Sequence, residues 1–140
     1  MRVVTSIAVI CLSCFCPFSF ADERNPDHIA EKFFASFIAG DSDKALGELL
    51  SVNPVLAERV QQLQLLKSQV RGAIEIYGPG AEVELIHKEE LSGSLQRHVY
   101  LTRHRLHPLV WEMYFYKADG GWVLSQVLFA DQFQFIGRKK

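Results

Sequence analysis

Cysteine is missing from most of this 140-residue chain. All three cysteines, Cys11, Cys14 and Cys16, lie within the first 20 residues. The remainder therefore offers no disulfide, no thiol nucleophile and no cysteine-ligated zinc. Any fold that it adopts must depend on the packing of apolar side chains.

An excess of charge of either sign is also missing. The chain has 15 basic and 16 acidic residues, which give a formal net charge of −1. Proteins that bind nucleic acid usually present a strongly basic surface, so the composition predicts no nucleic-acid partner. The sequence contains no H-E-x-x-H zinc motif, no phosphate-binding glycine loop and no G-x-S-x-G nucleophile motif. We therefore expect no cofactor and assign no catalytic residue, while leaving an enzyme open.

The first segment of the chain has the pattern of a secretory signal. Arg2 supplies the positive start, residues 3–20 form an apolar run, and Ser19-Phe20-Ala21 is a small-x-small cleavage site. The run is short for a spanning helix. We therefore predict a signal peptide at residues 1–21 and a single domain at residues 22–140. The expected location is periplasmic or secreted, without a stable membrane anchor; a retained anchor is the alternative.

The next part of the chain has helical periodicity. Asn25-Pro26 is a typical helix start, and Ile29, Phe33 and Phe37 follow at a spacing of four. Gly40-Asp41 ends this helix, and Asp41 or Ser42 can cap a second one. The pattern then predicts one long helix over residues 54–77, which Gly78-Pro79-Gly80 stops.

The last part of the chain has the pattern of β-strands joined by short turns. The predicted strands are residues 81–91, 95–106, 109–117 and 122–135. Short links join antiparallel neighbours. Helices followed by strands indicate an α+β fold, in which N-terminal helices pack on a four-stranded antiparallel sheet.

The final hairpin resembles a known type of domain. It consists of WEMYFYK at residues 111–117, Gly121-Trp122 after a short turn, and VLFAD at residues 127–131. Together with helices that follow a signal-like segment, this hairpin is similar to small exported proteins of the NTF2-like (cone-shaped α+β, cystatin-like) type. It also resembles uncharacterised domain families that end in a comparable hairpin.

This resemblance implies a curved sheet wrapped around the helices, often with a hydrophobic cavity. It implies no single activity, because such domains include ligand-binding modules, assembly domains and isomerases that use a carboxylate base. The chain has fewer predicted elements than the fullest members, which leaves the size of a cavity open.

The segment RHVYLTRHRLH, residues 97–107, has six Arg or His residues among its eleven. His98 and His104 share one face of a strand but lie about 20 Å apart, at roughly 3.3 Å per residue. A zinc ligand lies about 2 Å from its metal, so the two histidines cannot share one on a straight strand. The pattern favours surface histidines and no metal site.

A hairpin between this segment and WEMYFYK gives the basic residues a different role. With a turn of two or four residues at His107-Pro108, Arg103 would face Glu112 and Leu101 would face Tyr114. We therefore take Arg103, Glu112 and Tyr114 as candidate ligand-binding residues in an apolar cavity. The alternative is an ordinary ion pair on a wetted surface.

The aromatic-rich strands and the lack of a catalytic signature favour an exported binding or interaction module. It would hold an apolar small molecule or a protein partner at the curved sheet. The alternative is a small enzyme of isomerase or hydratase type with Glu112 or His104 as the base. A homodimer that pairs through the sheet is a third possibility.

Overall fold

The structure is a computed structural model that describes residues 24–133. The predicted signal peptide lies outside these residues. The last strand, predicted to run to Phe135, instead ends at Ala130, and residues 131–133 are not in a strand. The observed fold is α+β, with four helices packed on one face of a four-stranded antiparallel sheet. The predicted fold class is therefore confirmed.

The helices are α1 Pro26–Ile38, α2 Ser42–Ser51, α3 Pro54–Ala57 and α4 Val60–Tyr77. The predicted caps are present, since the side chain of Asn25 accepts from the His28 amide and that of Asp41 accepts from the Lys44 amide. None of the helices within residues 24–133 is long and apolar enough to cross a membrane.

The prediction of one helix over residues 54–77 is wrong. The chain leaves helical geometry at Arg59, whose φ is −85° and ψ is 58°, and this separates α3 from α4. Neither Glu58 nor Arg59 is a helix breaker. A pattern of propensities therefore gives no warning of this turn.

The strands are β1 Gly80–Ser92, β2 Leu95–His104, β3 Leu109–Ala118 and β4 Gly121–Ala130. They pair in chain order, so β1 and β4 form the two edges. We call the side of the sheet that contacts the helices the inner face and the opposite side the outer face.

The core lies between α1 and the inner face. The rings of Phe33, Phe34 and Phe37 on α1 have their centroids 5.2, 6.1 and 5.1 Å from that of Trp111 on β3. Trp111 is fully buried. The α1 stripe read from the sequence therefore packs against the centre of the sheet, where aromatic edge-to-face contacts add to the burial of apolar surface.

The predicted register between β2 and β3 is wrong by four residues. Val99 lies opposite Glu112, and Tyr100 lies opposite Trp111. The connection between Thr102 and Leu109, which pair with each other, is therefore six residues long rather than a tight turn. Because side chains alternate with a period of two, a shift of four leaves every residue on its predicted face but changes its neighbours.

Candidate functional site

The predicted trio is divided between two places. Arg103 does not face Glu112; its guanidinium pairs instead with Glu82 on β1, and both side chains are more than half exposed. Glu112 and Tyr114 do lie together. The arginine that joins them is Arg97, which the correct register brings opposite Tyr114.

Arg97, Glu112 and Tyr114 form a compact hydrogen-bonded cluster on the outer face. Glu112 Oε1 accepts from Arg97 Nε and from the Tyr114 hydroxyl, both at 2.6 Å. The side chains of Arg97 and Glu112 are only 15% and 14% exposed. The hydrogen bond to Glu112 raises the pKa of Arg97, and burial together with the bond to Glu112 raises the pKa of Tyr114.

This cluster is best explained as a link between β2 and β3. Oε1 of Glu112 already accepts from two donors. Arg97 Nη1 also lies 3.7 Å from Glu89 Oε2 on β1. The cavities described below are lined by other residues. The arrangement therefore holds three strands in register, as expected for a half-buried, charge-assisted network.

The histidines of RHVYLTRHRLH are not all on the surface as predicted. His98 is fully buried on the inner face, where its ring lies 5.0 Å from that of Phe115. Its Nε2 is 3.1 Å from Gln96 Oε1, which can only accept, so Nε2 donates. Its Nδ1 then accepts from the Tyr100 hydroxyl at 3.0 Å. The ring is therefore a satisfied neutral imidazole.

The charge state of His98 agrees with this network. Burial, together with a smaller effect of nearby Lys88 and against an opposing effect of Asp27, lowers the pKa of His98 to about 4. Lys88 and Asp27 pair with each other at 2.7 Å and link β1 to the first turn of α1.

His104 belongs to a second chain of hydrogen bonds. Trp111 Nε1 donates to Thr102 Oγ1 at 3.0 Å, so the Thr102 hydroxyl donates to His104 Nε2 at 2.9 Å. His104 Nδ1 then donates to the Gly78 carbonyl at 2.7 Å. Both ring nitrogens are engaged, so His104 ties β2 to the end of α4. Within residues 24–133, no group of three His, Cys, Asp or Glu side chains could hold a metal.

A long groove lies between α4 and β4, and we call it the α4–β4 groove. Its first part has a volume of about 320 Å³. Apolar side chains from the helices and β4 form the floor, namely Leu50, Leu56, Leu63, Leu66, Val127 and Phe129. Polar side chains line the rim, namely Arg59, Gln62, Gln69, Ser125 and Gln126.

A second cavity of about 520 Å³ continues the groove towards Tyr77 and Asp131. Gln69 and Phe129 line both cavities, so the two cavities adjoin each other. At its far end the Tyr77 hydroxyl donates to Asp131 Oδ2 at 2.7 Å, and this bond raises the pKa of Tyr77.

The groove exists because α4 is held elsewhere. Among the residues of α4 that the structure describes, Val70 alone is fully buried. The helix packs mainly on α2. The backbones of α4 and β4 come close to each other at very few points. The side chain of Asn53 donates to the Leu124 carbonyl at 2.9 Å, which places the start of α3 beside the free edge of β4.

The sequence alone did not reveal this groove. In the sequence, Gln62 and Gln69 resemble the polar side of any surface helix. The available signal is β4 itself, GWVLSQVLFA, an edge strand without a charged residue. Edge strands are usually protected by charge, so an uncharged one is informative once its position is known.

Comparison of the chain with family models, with curated proteins and with solved structures finds no match. The geometry of the site therefore carries the functional argument.

Proposed function

We propose that this protein is an exported, non-catalytic binding module of NTF2-like type, and that it holds an apolar ligand in the α4–β4 groove. The observation that carries the proposal is the apolar floor of that groove, with a polar rim above it. Pockets that bind small molecules are mostly apolar, with a few polar groups that orient the ligand.

The size of the groove supports this proposal. Ligand sites commonly have volumes of about 300–1,000 Å³. The first part of the groove, at about 320 Å³, is at the lower end of that range, and the second part, at about 520 Å³, extends it. An elongated ligand fits this shape better than a compact one.

The chemistry of the groove favours binding over catalysis. Arg59 is the ionisable residue among the described lining of the first part, and an arginine stays charged and cannot act as a base. In the second part, the Asp131 carboxylate already accepts from the Tyr77 hydroxyl at 2.7 Å. Glu112 lies on the outer face with two donors engaged. His104 has both ring nitrogens hydrogen-bonded. Neither base considered from the sequence therefore lines the groove.

Titration with the neutral apolar dye N-phenyl-1-naphthylamine tests the proposal. The dye should fluoresce when it binds, and Leu63→Gln should weaken binding about tenfold, because it replaces a partly buried leucine of the floor by a polar side chain. Leu65→Gln is the matched control, since Leu65 lies on the same helix but is 60% exposed.

Both variants should keep the helical circular dichroism spectrum of the parent protein. Equal dye affinity in Leu63→Gln and Leu65→Gln, or no dye binding by the parent, would overturn the proposal.

A further inference from the structure

The α4–β4 groove is long and narrow. It follows β4 and the residue after it from Ser125 to Asp131, about 20 Å at roughly 3.3 Å per residue. On the other side it follows α4 from Arg59 to Tyr77, about 27 Å at roughly 1.5 Å per residue. These dimensions match an extended chain of about seven residues.

One wall of the groove is the edge of a sheet. All five residues 125–129 line its first part, so the strand faces the groove with its backbone as well as with alternate side chains. Within residues 24–133 no further strand pairs with β4. The Asn53 side chain engages the edge at Leu124, just before the groove begins. An edge strand beyond such a cap presents main-chain donors and acceptors that another strand can satisfy.

The two edges of the sheet differ in how readily a further strand can pair with them. The free edge of β1 carries Glu82, Glu84, Lys88, Glu89 and Glu90 and has three register irregularities. Charges and bulges of this kind block strand addition. The edge of β4 has no charged residue and a single irregularity at Ser125, in the middle of the strand. The five residues that follow it, 126–130, pair with β3 without a break.

The ends of the groove carry opposite charges. Arg59 lies at the end near Ser125, and Asp131 lies at the other end. Between them the walls carry glutamine amides and apolar side chains. An extended chain with alternating apolar residues, an acidic residue at the Arg59 end and a basic residue at the Asp131 end is complementary to this surface.

We propose that the α4–β4 groove binds an extended segment of another protein, which adds to β4 as an antiparallel fifth strand. Main-chain hydrogen bonds to β4 provide affinity, and alternate apolar side chains of the segment contact Leu63, Leu66 and Phe129. This inference rests on the proposed function, because it names the ligand of the same groove.

Synthetic peptides test the inference. The probe is acetylated, amidated Lys-Val-Thr-Val-Thr-Val-Glu, which places its acid at the Arg59 end when it runs antiparallel to β4. The first control has Lys and Glu exchanged. The second control has the same sequence with the backbone amides that would face β4 methylated, which removes the main-chain donors but keeps the side chains.

Amide hydrogen exchange with each peptide should show slower exchange for β4 residues 126–130 with the probe only, and no change in β1. The charge-exchanged peptide should bind several-fold more weakly, and the methylated one should give no protection. Leu128→Lys should abolish the protection, whereas Leu91→Lys on β1 should not.

Four results would overturn the inference. Equal binding of the methylated peptide, or protection of β1 instead of β4, would exclude strand addition at this edge. Dye binding that responds to Leu63→Gln without any peptide protection would reject the peptide and leave the proposed function intact. Protection of β4 that rises with protein concentration in the absence of peptide would assign the edge to a second copy of the chain.

Discussion

The two edge strands of this sheet have opposite designs. β1 is exposed along most of its 13 residues and carries charges of both signs. β4 has no charged residue, and the groove beside it is bounded by α4. The charges and bulges of β1 disfavour pairing with a further strand. β4 has no charged side chain and lies next to the apolar floor of the groove. The difference supports the proposal of a binding site on the β4 side.

The same contrast holds for the contacts with the core. Leu124 on β4 is fully buried against the helices, and Trp122, Val127 and Phe129 pack around it. On β1, Leu85 faces the same side of the sheet but is 54% exposed. β4 is therefore anchored firmly enough to serve as the rigid wall of a site.

The largest expected effect concerns this anchoring. Leu124→Ala should lower the free energy of unfolding by about 2–5 kcal/mol, because it leaves a cavity in a fully packed region. Leu85→Ala should cost less than about 1 kcal/mol, as expected for a half-exposed site. Urea denaturation of both variants measures the difference, and equal losses would contradict the comparison.

Local signals predicted most of the elements. Asn25 and Asp41 are strong caps, and turns that contain glycine separate β1 from β2 and β3 from β4, so the boundaries at these places follow from nearby residues. The break at Arg59 has no such signal, because the chain turns there without glycine or proline. Its cause lies in where α3 and α4 pack, which is a property of the whole fold.

The candidate sites were harder to predict than the elements. Glu112 and Tyr114 share a strand face at a spacing of two, so their proximity is local and was predicted. Their arginine partner depends on the length of the connection to β2, and an error of four residues replaced Arg97 by Arg103. The α4–β4 groove depends on the distance between two elements that are far apart in sequence, which no periodicity shows.

Acid should weaken the β1 side before the β4 side. In the folded protein His98 has a pKa of about 4, while an unfolded histidine titrates near 6.5. Because the unfolded state binds the proton more readily, the free energy of unfolding is highest above about pH 6.5. It decreases as the pH falls from there to about 4. The loss can reach roughly 3 kcal/mol.

Urea denaturation between pH 7 and pH 4 measures this loss, and His98→Gln should remove much of the pH dependence. His87→Gln is the control, because His87 is exposed on β1. As the pH is lowered, the protection of backbone amides against hydrogen exchange should decrease first in β1 and β2, next to the pair Asp27 and Lys88. A uniform loss of protection across all strands would argue against a local origin.

A smaller effect is expected where α3 meets the edge of β4. Asn53 both caps α3 through the Val55 amide and donates to the Leu124 carbonyl. Asn53→Ala should cost about 1–2 kcal/mol, whereas Asn53→Ser should keep the cap and lose only the contact with the strand. Faster exchange near Leu124 in both variants, measured by mass spectrometry, would show that the edge has opened. Unchanged exchange in Asn53→Ser would show that this contact does not protect the edge.

The smallest effect on stability separates the two edges most directly. Leu128 on β4 and Leu91 on β1 are exposed to a similar degree, 48% and 44%. Replacing either by lysine should change the free energy of unfolding by no more than about 0.5 kcal/mol. Leu128→Lys should nevertheless weaken binding of the peptide Lys-Val-Thr-Val-Thr-Val-Glu in a calorimetric titration, because a lysine on an uncharged edge disfavours strand pairing. Leu91→Lys should have no such effect, since β1 already carries its own charges. If both variants bind the peptide as the parent protein does, the uncharged edge of β4 is not what accepts the strand.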